Sequence, residues 1–196
     1  MSKFLQAYDC LTVQEFTFGD YSIVPIRYKD RLNILEWRNE QMYHLRQLKP
    51  LTEADQEEYF TNIISRNFEQ SEPEQLLFSL LYNKKCIGYG GLVHINWEKK
   101  EGEISFIMQT KLEISQFSSN WSIFLNLLEK VAFDNLNFNR ISTFAYDLRP
   151  HLYPVLEKAE YIKKEVLKNE YLYNGKWLDV IIHEKTFAKY IEMDNK

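Results

Sequence analysis

The chain has 196 residues and a mass of 23.6 kDa, enough for one domain to bury a sizeable core without disulfide or metal staples. Its 24 basic and 28 acidic residues give a net charge of −4 with no basic stripe, which excludes a general attraction for nucleic acid, so an anionic ligand needs a locally built site. Two distant cysteines without CxxC spacing, no apolar run of signal-peptide or membrane-span length, many aromatics and few Gly and Pro lead us to expect a reduced, cytoplasmic, well-packed protein.

Leu11–Phe18 and Tyr21–Arg27 flank Gly19 and Asp20 and read as two extended segments about a turn. Pro25 has no N–H to give a ladder, so the second strand lies at an edge or ends there. Asp30 can cap a helix from Arg31 to about Tyr43, with Leu32, Ile34, Leu35 and Trp37 on its apolar face. Thr52 with Asp55 three residues on resembles a capping box, opening a helix to about Phe68. Tyr59, Phe60, Ile63 and Ile64 would turn inward there, while Glu53, Asp55, Glu57 and Glu58 form a solvated face and first-turn anions.

After a loop at Ser71–Glu74, Leu76–Tyr82 and Cys86–Trp97 read as strands joined across Asn83–Lys85. Gly88, Gly90 and Gly91 mark a bulge or a close backbone approach, since no helix follows them as a phosphate loop requires. The last third reads strand, helix, strand, helix, hairpin: Glu103–Met108, Trp121–Leu136, Arg140–Tyr146, His151–Ala159, and two strands about Asn174 and Gly175. The sum is a single α/β domain over 21–190 with an N-terminal extension, 1–20, packing on it. Its central sheet is mixed and mostly antiparallel, with one parallel pair and flanking helices.

Cys86–Gly91, Glu103–Phe106, Val131–Phe133, Arg140–Thr143 and Val155–Tyr161 occur in the order and spacing of a Gcn5-related N-acetyltransferase, and the chain resembles that family (GNAT) over roughly 21–185. Val155–Tyr161 is similar to the family's L-[YL]-E-K-x-G-[FY] passage, with Glu160 in place of glycine. Trp37, Arg38 and Asn39 resemble the subgroup that acetylates nucleotide-linked amino sugars, and Tyr173–Asp179 resembles the ribosomal-protein N-terminal acetyltransferase branch. The resemblance implies a GNAT-like fold whose parallel pair splays, acetyl-CoA as co-substrate, no metal, and a small-molecule amine acceptor. Neither nucleic acid nor membrane is implied as a partner, and the many aromatics are compatible with a homodimer face.

The same resemblance assigns residues. The backbone of Phe106, Ile107 and Met108 would pair with pantetheine, and Gln116, Ser118, Ser119, Asn120, Trp121 and Ser122 would seat the pyrophosphate on a helix N-terminus. The family pattern [QR]-x-x-G-x-[GA] falls on Gln116, Ser119 and Trp121, so the seat stays open if the Trp121 indole points into the sheet. Read from the residues alone, Ser118–Asn120 is an ordinary N-cap for a buried amphipathic helix. Glu103 is the implied base or water-positioner, with a structural partner for Lys or Arg as its alternative. His94 is the alternative base or an acceptor ligand, and His151 a group that binds substrate or orients water.

Where the family carries a tyrosine acid the chain has Leu156, and Tyr153, one turn earlier, is its substitute. Arg149 would contact phosphates of CoA or of a nucleotide sugar, or pair with Asp147 or Glu157. Arg38 and Asn39 would bind the acceptor, or form helix-surface pairs. The four His and two Cys lack ligand spacing, and no G-x-S-x-G elbow is present. The functional readings are an N-acetyltransferase for a small amine such as a nucleotide-linked amino sugar, one for a protein N-terminus, and a non-catalytic module that keeps the fold.

Overall fold

The structure, a computed structural model, describes residues 4–187, so the last three residues of the expected 21–190 domain lie outside the described residues. Eight strands form one sheet in the order β1-β2-β3-β4-β5-β6-β8-β7. They are β1 (Phe16–Phe18), β2 (Tyr21–Pro25), β3 (Leu76–Tyr82), β4 (Lys85–Asn96), β5 (Glu101–Met108), β6 (Arg140–Tyr146), β7 (Ile162–Tyr173) and β8 (Lys176–Thr186). Every neighbouring pair is antiparallel except β5 and β6. β3 is buried along its first six residues, as an unbroken apolar run between two paired neighbours requires. Phe106 of β5 stacks on Phe124 at 4.0 Å on one face of the sheet, and Tyr89 of β4 meets Arg38 on the other, so the core has a helical layer on each side.

The helices are α1 (Arg31–Glu40), α2 (Glu53–Glu58), α3 (Ser65–Phe68), α4 (Thr110–Ser115), α5 (Phe117–Glu129) and α6 (Tyr153–Lys158). A π turn over Tyr59–Ile64 joins α2 to α3, and another over Lys130–Asn135 extends α5. The capping box is present: Thr52 accepts from the Asp55 N–H while Asp55 accepts from the Thr52 N–H. Asp30 does not cap α1. It is buried, and its carboxylate accepts from Arg27 Nε at 2.7 Å and Ser79 Oγ at 2.8 Å, fastening the helix entry to β3. α1 stops at Glu40, followed by a 3₁₀ turn over Met42–His44, and both Leu32 and Ile63 face solvent. Leu11–Glu15 is irregular, so the first extended segment shortens to β1.

The glycines of β4 answer to close approach. A Cβ on Gly90 would lie 2.0 Å from the Ser105 carbonyl oxygen, and one on Gly91 1.8 Å from that of Leu76. Glu160 adopts the left-handed conformation (φ +66°) that its position demands after α6, and the Tyr161 N–H closes the helix end on Leu156 O at 2.9 Å. A non-glycine there costs about 1 kcal/mol, which the buried Tyr161 ring offsets. No helix among the described residues is long and apolar enough to cross a membrane.

Candidate active site

The parallel pair β5–β6 matches only Glu101 with Arg140, Gly102 with Ile141 and Glu103 with Ser142. Beyond Glu103 the strands part, β5 running on beside β4 to Met108 and β6 beside β8 to Tyr146. The splay opens a cleft of about 980 Å³, walled by Glu103, His94, Arg46, Phe106, Trp121 and Arg149 among others. The Gln109 N–H donates to Ile87 O at 2.8 Å, and the register from there is unbroken. Alternation in an antiparallel ladder therefore makes Ile107 and Tyr89 a hydrogen-bonded pair, and turns the N–H and C=O of Phe106 and Met108 away from β4 toward the cleft. Of the three residues expected to pair with pantetheine, Ile107 is thus engaged by its own sheet. The Met108 carbonyl is engaged by Gln41 Nε2 at 2.8 Å, which leaves both backbone groups of Phe106 facing the cleft.

α4 precedes the expected helix and hands over at Gln116 to α5, which begins at Phe117 and not at Trp121, so Ser118–Asn120 lie inside the helix and Gln116 takes the N-cap position without a side-chain cap. The α5 ladder starts with the Asn120 N–H on Gln116 O at 3.1 Å, so Asn120 and Trp121 donate within the helix. The free first-turn donors are the N–H groups of Phe117, Ser118 and Ser119. Asn120 is fully buried, its Nδ2 against Met108 Sδ, and cannot reach a phosphate. The Trp121 indole is buried as well, edge-on to Phe106 at 5.1 Å, so it leaves the helix N-terminus open. Ser118, Ser119 and Ser122 face Pro154, Val155 and Lys158 of α6 across a second groove of about 600 Å³. An uncapped N-terminus of a 13-residue helix with serines beside it suits a diphosphate. Arg149 stands at this end of the cleft: it is buried, 5.9 Å over both the Phe117 and Trp121 rings, and its Nη1 contacts Glu113 at 3.3 Å, not Asp147 or Glu157.

At the opposite end Glu103 holds two partners. Arg46 Nη2 donates to both carboxylate oxygens at 2.9 and 3.1 Å, and His94 Nδ1 lies 3.1 Å from Oε2. His94 reaches it because the β4–β5 register breaks between Val93 and Asn96, where His94 takes a positive φ of 49°. The Arg46 guanidinium is fixed in turn by the Phe144 ring, 4.0 Å beneath it. Tyr153 is turned elsewhere. Its hydroxyl donates to Asp147 at 2.7 Å, its ring stacks on the buried His183, and burial followed by the Asp147 contact raises its pKa far above the ordinary phenol range. His151 is exposed and edge-on to Phe117 at 4.3 Å, beside the α5 N-terminus and not beside Glu103.

A splayed parallel pair, an uncapped helix N-terminus beyond it and a carboxylate at the fork agree with the family model described as "Acetyltransferase (GNAT) domain", which matches residues 23–182. The chain belongs to the GNAT acetyltransferase family. It is an N-acetyltransferase whose acetyl donor is acetyl-CoA. Among solved structures, the spermidine N-acetyltransferase of Vibrio cholerae in complex with CoA and spermine superposes with a TM-score of 0.76 at 19% identity, covering 89% of this chain and 99% of that one. A dodecameric form of the same Vibrio enzyme gives 0.72 at 17% identity over 90% and 99%. A structure described as a putative acetyltransferase gives 0.66 at 14% identity over 93% and 91%. At these identities the likeness is one of fold. No curated protein sequence matches the chain.

α1 and the segment after it wall one side of the cleft with Arg38, His44, Leu45 and Arg46. Arg38 lines the cleft, with Nε on Gln47 Oε1 at 3.0 Å and Nη1 on the Tyr89 hydroxyl at 2.7 Å. Asn39 makes three hydrogen bonds, two with the backbone of Leu51 and one with Gln47, and so clips the α1–α2 loop instead of facing the cleft. His44, in the same segment, is buried. Desolvation first, then the Arg149 charge, holds its pKa down to about 3. The unfolded chain therefore binds a proton at His44 between pH 6.5 and 3 that the folded chain does not, and stability falls as pH falls through that window. Between pH 7 and 5 the loss is expected to be about 2 kcal/mol. Thermal melts at the two pH values check this, and His44→Gln should flatten the difference.

Proposed function

We propose that the protein transfers the acetyl group of acetyl-CoA to the primary amine of a small acceptor, with Glu103 taking the amine's proton. The observation that carries this is Glu103 itself, at the residue where parallel pairing ends, held by Arg46 and His94 in the wall of the cleft. Acetyl-CoA supplies the thioester carbon. The backbone of Phe106 orients it along β5, and the free N–H groups of Phe117, Ser118 and Ser119 hold its diphosphate. Glu103 and His94 offer a carboxylate and an imidazole to an attacking ammonium, directly or through water. The departing sulfur takes its proton from solvent, since the Tyr153 hydroxyl is given to Asp147.

The acceptor end is rimmed by Glu72, Glu74 and Glu98, which favour a cationic amine. That rim supports a second reading, a polyamine, the substrate class named for the Vibrio relative. A nucleotide-linked amino sugar rests on Arg38 alone, because Arg46 and Arg149 already face Glu103 and Glu113. Self-association is supported by the dodecamer of that relative and by Ile162, Leu172 and Trp177, exposed on β7 and β8 at the sheet edge. Release of CoA thiol in the presence of spermidine, a nucleotide-linked amino sugar, single amino acids and an N-terminal peptide tests the reading. Release with small amines is the expected result, and release with none of them contradicts it.

A further inference from the structure

A second cavity of about 350 Å³ lies beneath α1 and α2, walled by the apolar side chains of Ile26, Ile34, Leu51 and Phe60. Arg38 lines both this cavity and the catalytic cleft. The π turn after α2 brings the adjacent residues Tyr59 and Phe60 to the cavity together.

The polar groups in its wall divide into engaged and free. The Tyr59 hydroxyl donates to Gln75 Oε1 at 3.0 Å, Gln56 Nε2 donates to Arg31 O at 2.9 Å, and Asp55 Oδ2 accepts from the N–H and hydroxyl of Thr52. Arg38 differs from the other two arginines of the cleft. Arg46 and Arg149 each face a carboxylate, whereas Arg38 meets only the neutral Gln47 and Tyr89 among the described residues, and its Nη2 donates to neither. The Tyr89 hydroxyl accepts from Arg38, and its own proton has no acceptor among the described residues. A partly buried guanidinium without a counter-ion, beside a free O–H donor, is a two-point receptor for an anion. It is pre-set, because Asn39 holds Gln47 and Gln47 holds Arg38.

We propose that this cavity recognises the acceptor by a carboxylate bound to Arg38 and Tyr89 and by a compact apolar body among Ile26, Ile34, Leu51 and Phe60. The acceptor is then amino-acid-like, with its ammonium directed past Arg38 into the acidic cleft. This rests on the transferase reading above and narrows it, since about 350 Å³ is near the lower limit for ligand sites and suits a compact acceptor.

Calorimetric titration of the full chain with 3-phenylpropionate, which carries the carboxylate and an apolar body but no amine, is expected to show saturable binding. Arg38→Met should weaken it by about 10- to 100-fold, the loss of a charge-assisted contact, and Tyr89→Phe by several-fold. Phenethylamine, with the same body and no carboxylate, should bind wild type and Arg38→Met alike. In turnover with acetyl-CoA, phenylalanine should exceed phenethylamine and spermidine in kcat/KM by about tenfold or more, and Arg38→Met should abolish the difference through KM. Acetyl-CoA titration of each variant establishes that it is folded. Absence of 3-phenylpropionate binding to wild type, equal binding to Arg38→Met and Tyr89→Phe, or spermidine turned over as well as phenylalanine overturns the proposal. Intact 3-phenylpropionate binding without acetyl-CoA binding would overturn the transferase reading instead, with the anion site standing.

Discussion

Glu103→Gln is expected to lower kcat by about 10²–10⁴-fold, the usual worth of a positioned general base, with acetyl-CoA affinity unchanged. The amide keeps the shape of the side chain and one oxygen for Arg46, so the contacts around β5 survive while the proton acceptor is lost. The variant should also have a pH profile of kcat/KM different from that of the wild type. The pH profile separates this from a structural role. A Glu103 that merely anchors Arg46 would leave the profile in place and alter KM or melting temperature instead. His94→Gln should have a smaller effect of the same kind, because Glu103 remains and the imidazole touches only Oε2.

The second large effect belongs to the ion pair at the other end of the cleft. Arg149 and Glu113 have side chains only 10% and 9% exposed, so their contact is little screened and competes with any anion arriving at the α5 N-terminus. Arg149→Ala should weaken acetyl-CoA binding by about 10- to 100-fold, since a cation beside the α5 N-terminus is lost and Glu113 is left there unpaired. Glu113→Gln should strengthen binding by several-fold, because the guanidinium is then free to turn toward the diphosphate. Opposite signs are the diagnostic outcome, measured by calorimetry at low and high salt. If both substitutions weaken binding, the pair is a structural brace.

The sequence shows most of the sheet and less of the site. β3 and β6 can be read to the residue, because Leu76–Tyr82 and Arg140–Tyr146 are apolar or alternating runs bounded by polar turns. Glu103 enters through the family resemblance alone, and the structure puts it at the last residue of the parallel pairing. The segment 116–121 is harder. A glycine pattern invites a loop reading, yet without glycine the serines and asparagine continue as helix, and the Trp121 side chain buries itself against Phe106. Arg46 carries no pattern at all, since it sits in an irregular loop and meets Glu103 across 57 positions of chain. Asn39 misleads for the opposite reason. It stands beside Arg38 in a suggestive triplet, but its side chain is used 8 and 12 residues downstream, where only the fold could place it.

On the reading proposed above, the glycine-free α5 N-terminus still seats acetyl-CoA in a working cleft. Calorimetric titration of the full chain with acetyl-CoA tests it most directly. Saturable one-to-one binding at about micromolar to sub-millimolar concentration is expected, weakened by added salt and by Arg149→Ala. No heat of binding at millimolar acetyl-CoA, from a protein that melts cooperatively, would contradict it.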